Sequence, residues 1–468
     1  MVKQFAKESS KMEYELTQIV DAIDKVLEQC KAAMSENDMK LCKQFLSEIK
    51  YNDGNGSQSF NKLKKIFKNV GCKATFILGA GVSNDFGIPN WEELVFRVNF
   101  SKYWQNMYSG EGDAVDKLFG KALKLFDKNP NECSPHMTHL KEMFRLNSSL
   151  YEWAQFAENN FRMEEANKEE RLLFERPNHI SDRTLDNVLY SVVGESLYYR
   201  GKYPTGRTNY TLQQICKIIK KKKINHIITY NYDDCFEWCC EKMKSKCLPV
   251  FDKQQILELP KDSKMCIAYH VHGFIPHFSE YKFDIEGDKT GEKFGSIKDA
   301  YESDDGKKLI LTEVSYDDIQ GKIYQWRNSI QVDTLLRYSC FFVGFSATDV
   351  NFKRIVKQLS EINGNKVNGS EHEIPEHFIA ICIDDYINRY YYSDNVDPKS
   401  LNPIVEKSGE GITQFISKCK DSKYYGSLYP YIMSSLYMLM DRCNYLKRFN
   451  IYPLITTIKD LPKLLSRL

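Results

Sequence analysis

Short runs of consecutive apolar residues alternate along this chain with longer stretches whose apolar positions recur every three or four residues. The runs are "ATFIL" from Ala74, "NHIITY" from Asn225, "CIAYHVH" from Cys266, "KLILT" from Lys308, "CFFVGF" from Cys340 and "HFIAICI" from His377. Each is short, rich in β-branched or aromatic residues, and apolar on both faces. That pattern predicts strands covered on both sides, as in a parallel sheet. Helical spacing separates most of them, over Tyr210–Lys222, Ser329–Tyr338 and Val350–Leu359. Strands alternating with helices predict an α/β fold, a Rossmann-like doubly wound parallel sheet.

The flanks read differently. Residues 10–50 carry Leu16, Ile19, Ile23 and Leu27 at helical spacing. The turn formers "YNDGNGSQS" at 51–59 then mark a linker, and a short basic helix over Phe60–Lys68 leads into the first strand. The interval from Trp91 to Lys223 is too long for one crossover and mostly helical in pattern, so it predicts a large helical insertion. After Asp384 the chain is loop-rich to about Gly411 and then helical to Leu468. The expected organisation is a helical N-terminal region (1–70), an α/β domain (71–385, with its insertion at about 92–222) and a helical C-terminal region (386–468).

Composition narrows the function classes. Lys plus Arg number 65 and Asp plus Glu 63, a net charge of +2, which argues against a general polyanion binder and gives no reason to expect direct nucleic-acid binding. The longest basic run, Lys220–Lys223, reads as a solvated helix end. The 14 cysteines include no Cys-x-x-Cys pair, which argues against a structural zinc site. They read as reduced thiols in a cytoplasmic protein; Cys235, Cys239 and Cys240 read as core. No apolar stretch suits a membrane helix, and "YYGSLYPYIMSSLYMLM" at 424–440 reads as a buried helix.

Ligands of open parallel sheets bind beyond the C-terminal ends of the strands. Four of the runs end in small or polar clusters: Gly79-Ala80-Gly81-Val82-Ser83, Thr229-Tyr230-Asn231-Tyr232-Asp233, His270-Val271-His272-Gly273 and Gly344-Phe345-Ser346. Glycines would let backbone amides approach a phosphate. The first cluster is neither G-x-G-x-x-G, since Asn84 holds the sixth position, nor a P-loop. As a bare Gly-Ala-Gly it is also ordinary punctuation between strand and helix, although Gly87-Ile88-Pro89 adds a second bend. Each polar candidate has a structural reading beside the functional one. His272 could brace a strand–loop corner, Asn231 could be a turn residue, and Asp233, Asp234 or Ser346 could cap helices. His270 receives no role.

Taken together, "GAGVS…GIPNW" (79–91), "TYNYD" (229–233), "HVHG" (270–273) and "VGFSATD" (343–349) resemble, in order, the signature blocks of sirtuin-like domains. The resemblance spans roughly 72–385. It is closest to the sirtuin-like effectors of prokaryotic antiphage defence, which hydrolyse NAD⁺. It implies NAD⁺ as substrate, with Asn231, His272 and Asp233 catalytic. Asn231 would orient the ribose, His272 would be the acid/base group, and Asp233 would hold ribose hydroxyls or brace the loop. The dinucleotide would be held by Gly79, Ala80, Gly81, Ser83, Pro89, Asn231, Gly344 and Ser346. Of these, Ser83 and the amides of Ala80 and Gly81 would meet phosphate, and Gly344 and Ser346 the adenosine half. Asp349 is a further candidate there, and Tyr316 matches a tyrosine common in the family.

Two departures separate the chain from deacylase sirtuins: the missing zinc module, and Asn90-Trp91-Glu92 in place of Asp-Phe-Arg. The expected function is therefore an NAD⁺ glycohydrolase of abortive infection. The alternative is a non-catalytic sensor of NAD⁺ or ADP-ribose, and a third reading is a protein deacylase or ADP-ribosyltransferase. The resemblance also implies homo-oligomerisation, and gating by a phage trigger or by a partner such as an ATPase or an Argonaute-like protein.

Overall fold

Seven strands form where the chain carries short apolar runs: β1 (Ala74–Leu78), β2 (His226–Thr229), β3 (Cys247–Val250), β4 (Cys266–His270), β5 (Ser339–Val343), β6 (His377–Cys382) and β7 (Ile451–Thr456). They belong to a computed structural model that describes residues 15–52, 58–99, 149, 151–159, 182–198, 209–245, 247–259, 265–277, 307–321, 325–364, 375–384, 386 and 415–468. Most of the expected helical insertion, the centre of the 51–59 linker and the loop-rich segment after Asp384 lie outside these residues. The chain divides into two compact units, Val70–Pro375 and a second made of Met1–Asn69 with Glu376–Leu468.

In the first unit the strand order is β3-β4-β2-β1-β5, and every pairing is parallel. β1 and β5 are buried at all five positions, as double-sided cover requires. The helices Tyr210–Lys222, Cys235–Lys242 and Trp326–Arg337 lie between these strands in sequence and Val350–Gly364 follows β5, the alternation of a Rossmann-like α/β fold. Asn209 caps the first of them, its side chain accepting from the Leu212 amide, and Lys223 closes it in the left-handed conformation. Of the basic run that ends this helix, Lys220, Lys221 and Lys223 are exposed and Lys222 is buried.

The register sets the site. Leu78 lies opposite both Thr229 and Val343, and Thr229 lies opposite His270. The C-terminal ends of β1, β2, β4 and β5 are therefore level, and the four polar clusters leave the sheet on one edge.

In this unit two strand assignments differ from the sequence reading. "KLILT" at 308–312 is not a strand. Its Ile310 amide donates to the His272 carbonyl oxygen at 2.8 Å, so the segment buttresses a loop and adds no strand to the ladder. β3 went unrecognised because a four-residue run containing Pro249 has a weak strand signature.

In the second unit β6 and β7 pair in parallel over six residues, from His377 opposite Ile451 to Cys382 opposite Thr456. β7 corrects the expectation of helix through to Leu468; "IYPLIT" is β-rich and follows a long helix, Tyr425–Lys447. N-terminal helices pack on this pair, as helices Glu36–Asn52 and Gln58–Ile66 both contact β7. Asp460 ties the two ends of the chain together: one carboxylate oxygen accepts the Leu16 amide at 3.0 Å and the Thr457 hydroxyl at 3.1 Å. Among the described residues, no helix is long and apolar enough to cross a membrane.

Candidate functional site

The loops after β1 and β5 meet backbone to backbone. The Gly79 amide donates to the Val343 carbonyl oxygen at 3.1 Å, and the Gly81 amide to that of Gly344 at 3.0 Å. A Cβ on Gly79 would lie 2.6 Å from the Gly344 oxygen, and one on Gly344 would lie 2.4 Å from the Val82 nitrogen. Gly344 is also left-handed, with φ of 62°. These glycines are thus required by the contact of two strand ends. The Gly81 amide, expected to face a phosphate, is instead committed to Gly344.

Ser83 is likewise committed. It is fully buried, donates its hydroxyl to Asp233 Oδ1 at 2.9 Å and accepts from Asn231 Nδ2 at 3.1 Å. A serine has one proton to give. With that proton on Asp233, Ser83 can only accept from the Asn231 amide, and this fixes the amide's orientation. Asn231 Oδ1 then faces away from Ser83, buried and without a hydrogen-bond partner among the described residues. Asp233 Oδ1 also accepts the Cys235 amide at 3.1 Å, so Asp233 braces the start of the next helix as well as Ser83. Burial pushes the Asp233 carboxyl above its usual range, against these hydrogen bonds.

His272 stands in the loop after β4, buried among aromatic rings. Tyr230 lies edge-on at 4.7 Å and Tyr316 at 5.7 Å between centroids. Gly273 next to it has φ of 111°, and a Cβ there would lie 2.6 Å from Leu309 Cδ2. The His272 loop thus needs glycine where the 308–312 segment packs against it. His272 Nε2 is 3.4 Å from Asp349 Oδ2, but the approach is not aligned as a hydrogen bond. Burial lowers the His272 pKa, the Asp349 charge opposes that, and Arg327 adds to the lowering. The imidazole is therefore neutral at neutral pH and can accept a proton.

Asp349 begins the helix after β5, its Oδ1 accepting the Phe352 amide at 2.6 Å. Its other oxygen accepts the Tyr316 hydroxyl at 2.8 Å. The sequence placed Asp349 with the adenosine half; the fold brings it to His272, through Tyr316, a residue whose role the sequence left open. Trp91, Tyr151, Tyr316, His272 and Tyr232 continue as a closed ring of neighbours, with centroids 4.6 to 6.5 Å apart. No spacing rule predicts that ring, since its members come from five separate segments. Ser346 is exposed and paired with the Thr348 hydroxyl at 2.6 Å. Pro89 is buried at the turn before Trp91, and Ala80 is half-buried in the first turn after β1.

His270, given no role from sequence, is fully buried and doubly bonded. Nδ1 is 3.0 Å from the Asn231 carbonyl oxygen, and Nε2 is 2.9 Å from Glu237 Oε1. The cysteines expected in the core are there: Cys235, Cys239 and Cys240 are buried, and the described cysteines are free thiols.

Residues 225–395 match the family model described as a SIR2-like domain. The match covers Asn231, Asp233, His270, His272, Tyr316 and Asp349, and begins after the Gly79–Ser83 loop, which reaches the same site through Ser83. It supports a sirtuin-like domain with an NAD-related function in this part of the chain. No curated protein matches the chain.

Proposed function

We propose that the protein is an NAD⁺ glycohydrolase, which cleaves NAD⁺ to nicotinamide and ADP-ribose. The observation that carries this reading is a pair of buried polar atoms on neighbouring strand ends, Asn231 Oδ1 and His272 Nε2, that have no hydrogen-bond partner among the described residues. Buried polar atoms are ordinarily satisfied, so two orphans on one sheet edge suit a polar substrate. NAD⁺ fits this donor and acceptor set, since its ribose hydroxyls can donate to both atoms.

Breaking the nicotinamide–ribose bond develops positive charge on the ribose. Asn231 Oδ1 is an acceptor held in one orientation by Ser83, suited to a ribose hydroxyl or the attacking water. His272, neutral because it is buried, takes a proton from the hydroxyl or the water. Asp349 supplies negative charge near the imidazole, which favours the imidazolium as it forms and the charge on the sugar. The buried ring of Tyr232, Tyr316 and His272 keeps bulk water from these groups. The sequence offers no Cys-x-x-Cys pair for a zinc module, which favours hydrolysis of NAD⁺ over lysine deacylation.

The further reading is an abortive-infection effector of antiphage defence that depletes NAD⁺, gated by self-association or by a partner protein. Its motive is the resemblance described above. The test is nicotinamide release from NAD⁺ by the purified chain, alone and with candidate activators, with Asn231→Ala as the blank. Release that vanishes in the variant is the expected result. Tight NAD⁺ binding without release under any condition would favour the sensor, and neither binding nor release would overturn both readings.

A further inference from the structure

The pair Glu237–His270 touches none of the groups assigned to the reaction except one backbone carbonyl. We infer that His270 and Glu237 are positioning residues: the imidazole holds the Asn231 peptide, and Glu237 fixes which ring nitrogen carries the proton. The inference rests on the NAD⁺-cleaving reading of the site.

β2 ends at Thr229, so the Asn231 peptide groups have no place in the sheet ladder although Asn231 is buried. Buried backbone groups must find other partners. The Asn231 amide donates to Thr229 Oγ1 at 3.1 Å, and its carbonyl oxygen meets His270 Nδ1 at 3.0 Å. Two side chains thus clamp the backbone of the residue whose amide must be aimed.

A carbonyl oxygen only accepts, so Nδ1 carries a proton. Nε2 then faces Glu237 Oε1 across 2.9 Å, and one proton serves the pair. A neutral imidazole without Glu237 could carry its single proton on Nε2, which would leave the Asn231 carbonyl unpartnered. With two protons in the pair, as carboxylate and imidazolium or as carboxylic acid donating to Nε2, Glu237 keeps a proton on Nδ1. Phe274, with its ring centroid 4.3 Å from that of His270, limits rotation of the imidazole.

Stability alone does not account for this pair. Both side chains are almost wholly removed from water, and Glu237 Oε2 has no hydrogen-bond partner among the described residues. Buried ionisable pairs commonly contribute less than apolar residues of the same size, and a half-satisfied carboxyl is poorer still. The geometry of the pair bears instead on one peptide of the proposed site.

The experiment compares full-length wild type, Glu237→Ala and Glu237→Gln. It reads kcat and KM for nicotinamide release, thermal unfolding, and nitrogen-15 spectra of histidine-labelled protein, with His270→Gln used to assign the signal. Glu237→Ala is expected to lower kcat about 10- to 100-fold with KM within about threefold, the range in which loss of an outer hydrogen-bond partner usually falls. Glu237→Gln donates to Nε2, preserves the Nδ1-protonated ring and should recover kcat to within about threefold of wild type. The wild-type spectrum should report His270 protonated at Nδ1, and Glu237→Ala should change that signal.

Unchanged kcat in Glu237→Ala overturns the inference, as does a Gln variant as impaired as the Ala variant, or a wild-type ring unprotonated at Nδ1. Should Glu237→Ala fail to fold, the Gln variant and the spectrum decide alone. Wild type that never releases nicotinamide but gives the expected spectrum would refute the NAD⁺-cleaving reading and leave the clamp on Asn231 intact.

Discussion

Tyr316 and Asp349, 33 positions apart in sequence, share a hydrogen bond of 2.8 Å, and the same carboxylate oxygen lies 3.4 Å from His272 Nε2. Tyr316 thereby holds Asp349 toward the imidazole. Asp349→Asn should lower kcat about 10- to 100-fold, and Tyr316→Phe by less, about threefold to tenfold, because the carboxylate remains. The pH profile separates charge from shape. His272 acts as a base only when neutral, so activity is lost as pH falls through its pKa. Burial already holds that pKa below 6.5, while Asp349 raises it. Without the carboxylate the acid limb should move to still lower pH. A profile that keeps its position in Asp349→Asn would show that Asp349 acts elsewhere.

Ser83→Ala discriminates two roles for the first loop. A phosphate ligand would affect binding of ADP-ribose. The structure instead commits Ser83 to Asp233 and Asn231, so the variant should lose about 10-fold or more in kcat while its affinity for ADP-ribose changes by less than about threefold. Calorimetry beside steady-state kinetics reads both.

Gly344→Ala should be severe. The residue is left-handed and its Cβ would fall 2.4 Å from the Val82 nitrogen, so strain and backbone displacement together should cost about 2–4 kcal/mol in denaturant unfolding. Gly71 is also left-handed, with φ of 72°, but nothing lies within 4 Å of the position of its Cβ. Gly71→Ala should cost only about 1 kcal/mol. Similar losses from the two would mean that the contact between the strand ends is not tight.

Stability should fall on the acid side. Burial lowers the His377 pKa to about 4 from an unfolded value near 6.5. Above 6.5 the folded and unfolded forms are both neutral here, and stability does not depend on this group. Below 6.5 the unfolded chain takes up a proton that the folded chain refuses, so stability drops as pH falls toward 4. By pH 5 the loss from His377 is about 2 kcal/mol at 1.36 kcal/mol per pKa unit. Urea titrations at pH 7 and pH 5 should differ by about 2 kcal/mol less in His377→Asn than in wild type.

The sheet was legible because its strands are buried on both faces and read as continuous apolar runs. "KLILT" deceived for the same reason: Leu309, Ile310 and Leu311 are buried, yet their partner is a loop. β7 was masked by the helical pattern before it. At the site, Asn231, Asp233, His272 and Ser83 were visible because each follows a strand, and strand ends are where such folds gather polar groups. Glu237 lies on a helix, where a buried polar side chain has no signature in sequence; Tyr316 was picked out by the resemblance, but its partner Asp349 was not. Asp349 was visible as a residue, but its proximity to His272 was not, since that depends on how β5 and β4 are ordered in the sheet.

One unit of this protein is split in sequence, with Met1–Asn69 and Glu376–Leu468 on either side of Val70–Pro375. On the ribosome the first helices therefore emerge long before β6 and β7, the strands they need. Val70–Pro375 is continuous and can fold while synthesis proceeds, but the amphipathic helix Glu15–Gln29, with seven buried apolar residues, packs on the late helix Tyr425–Lys447 as well as on its neighbour Glu36–Asn52, so part of its apolar face must wait uncovered. Nascent chains arrested before residue 376 should thus be cut by protease within the first 69 residues, and should become protected there only once the C-terminal segment has left the exit tunnel.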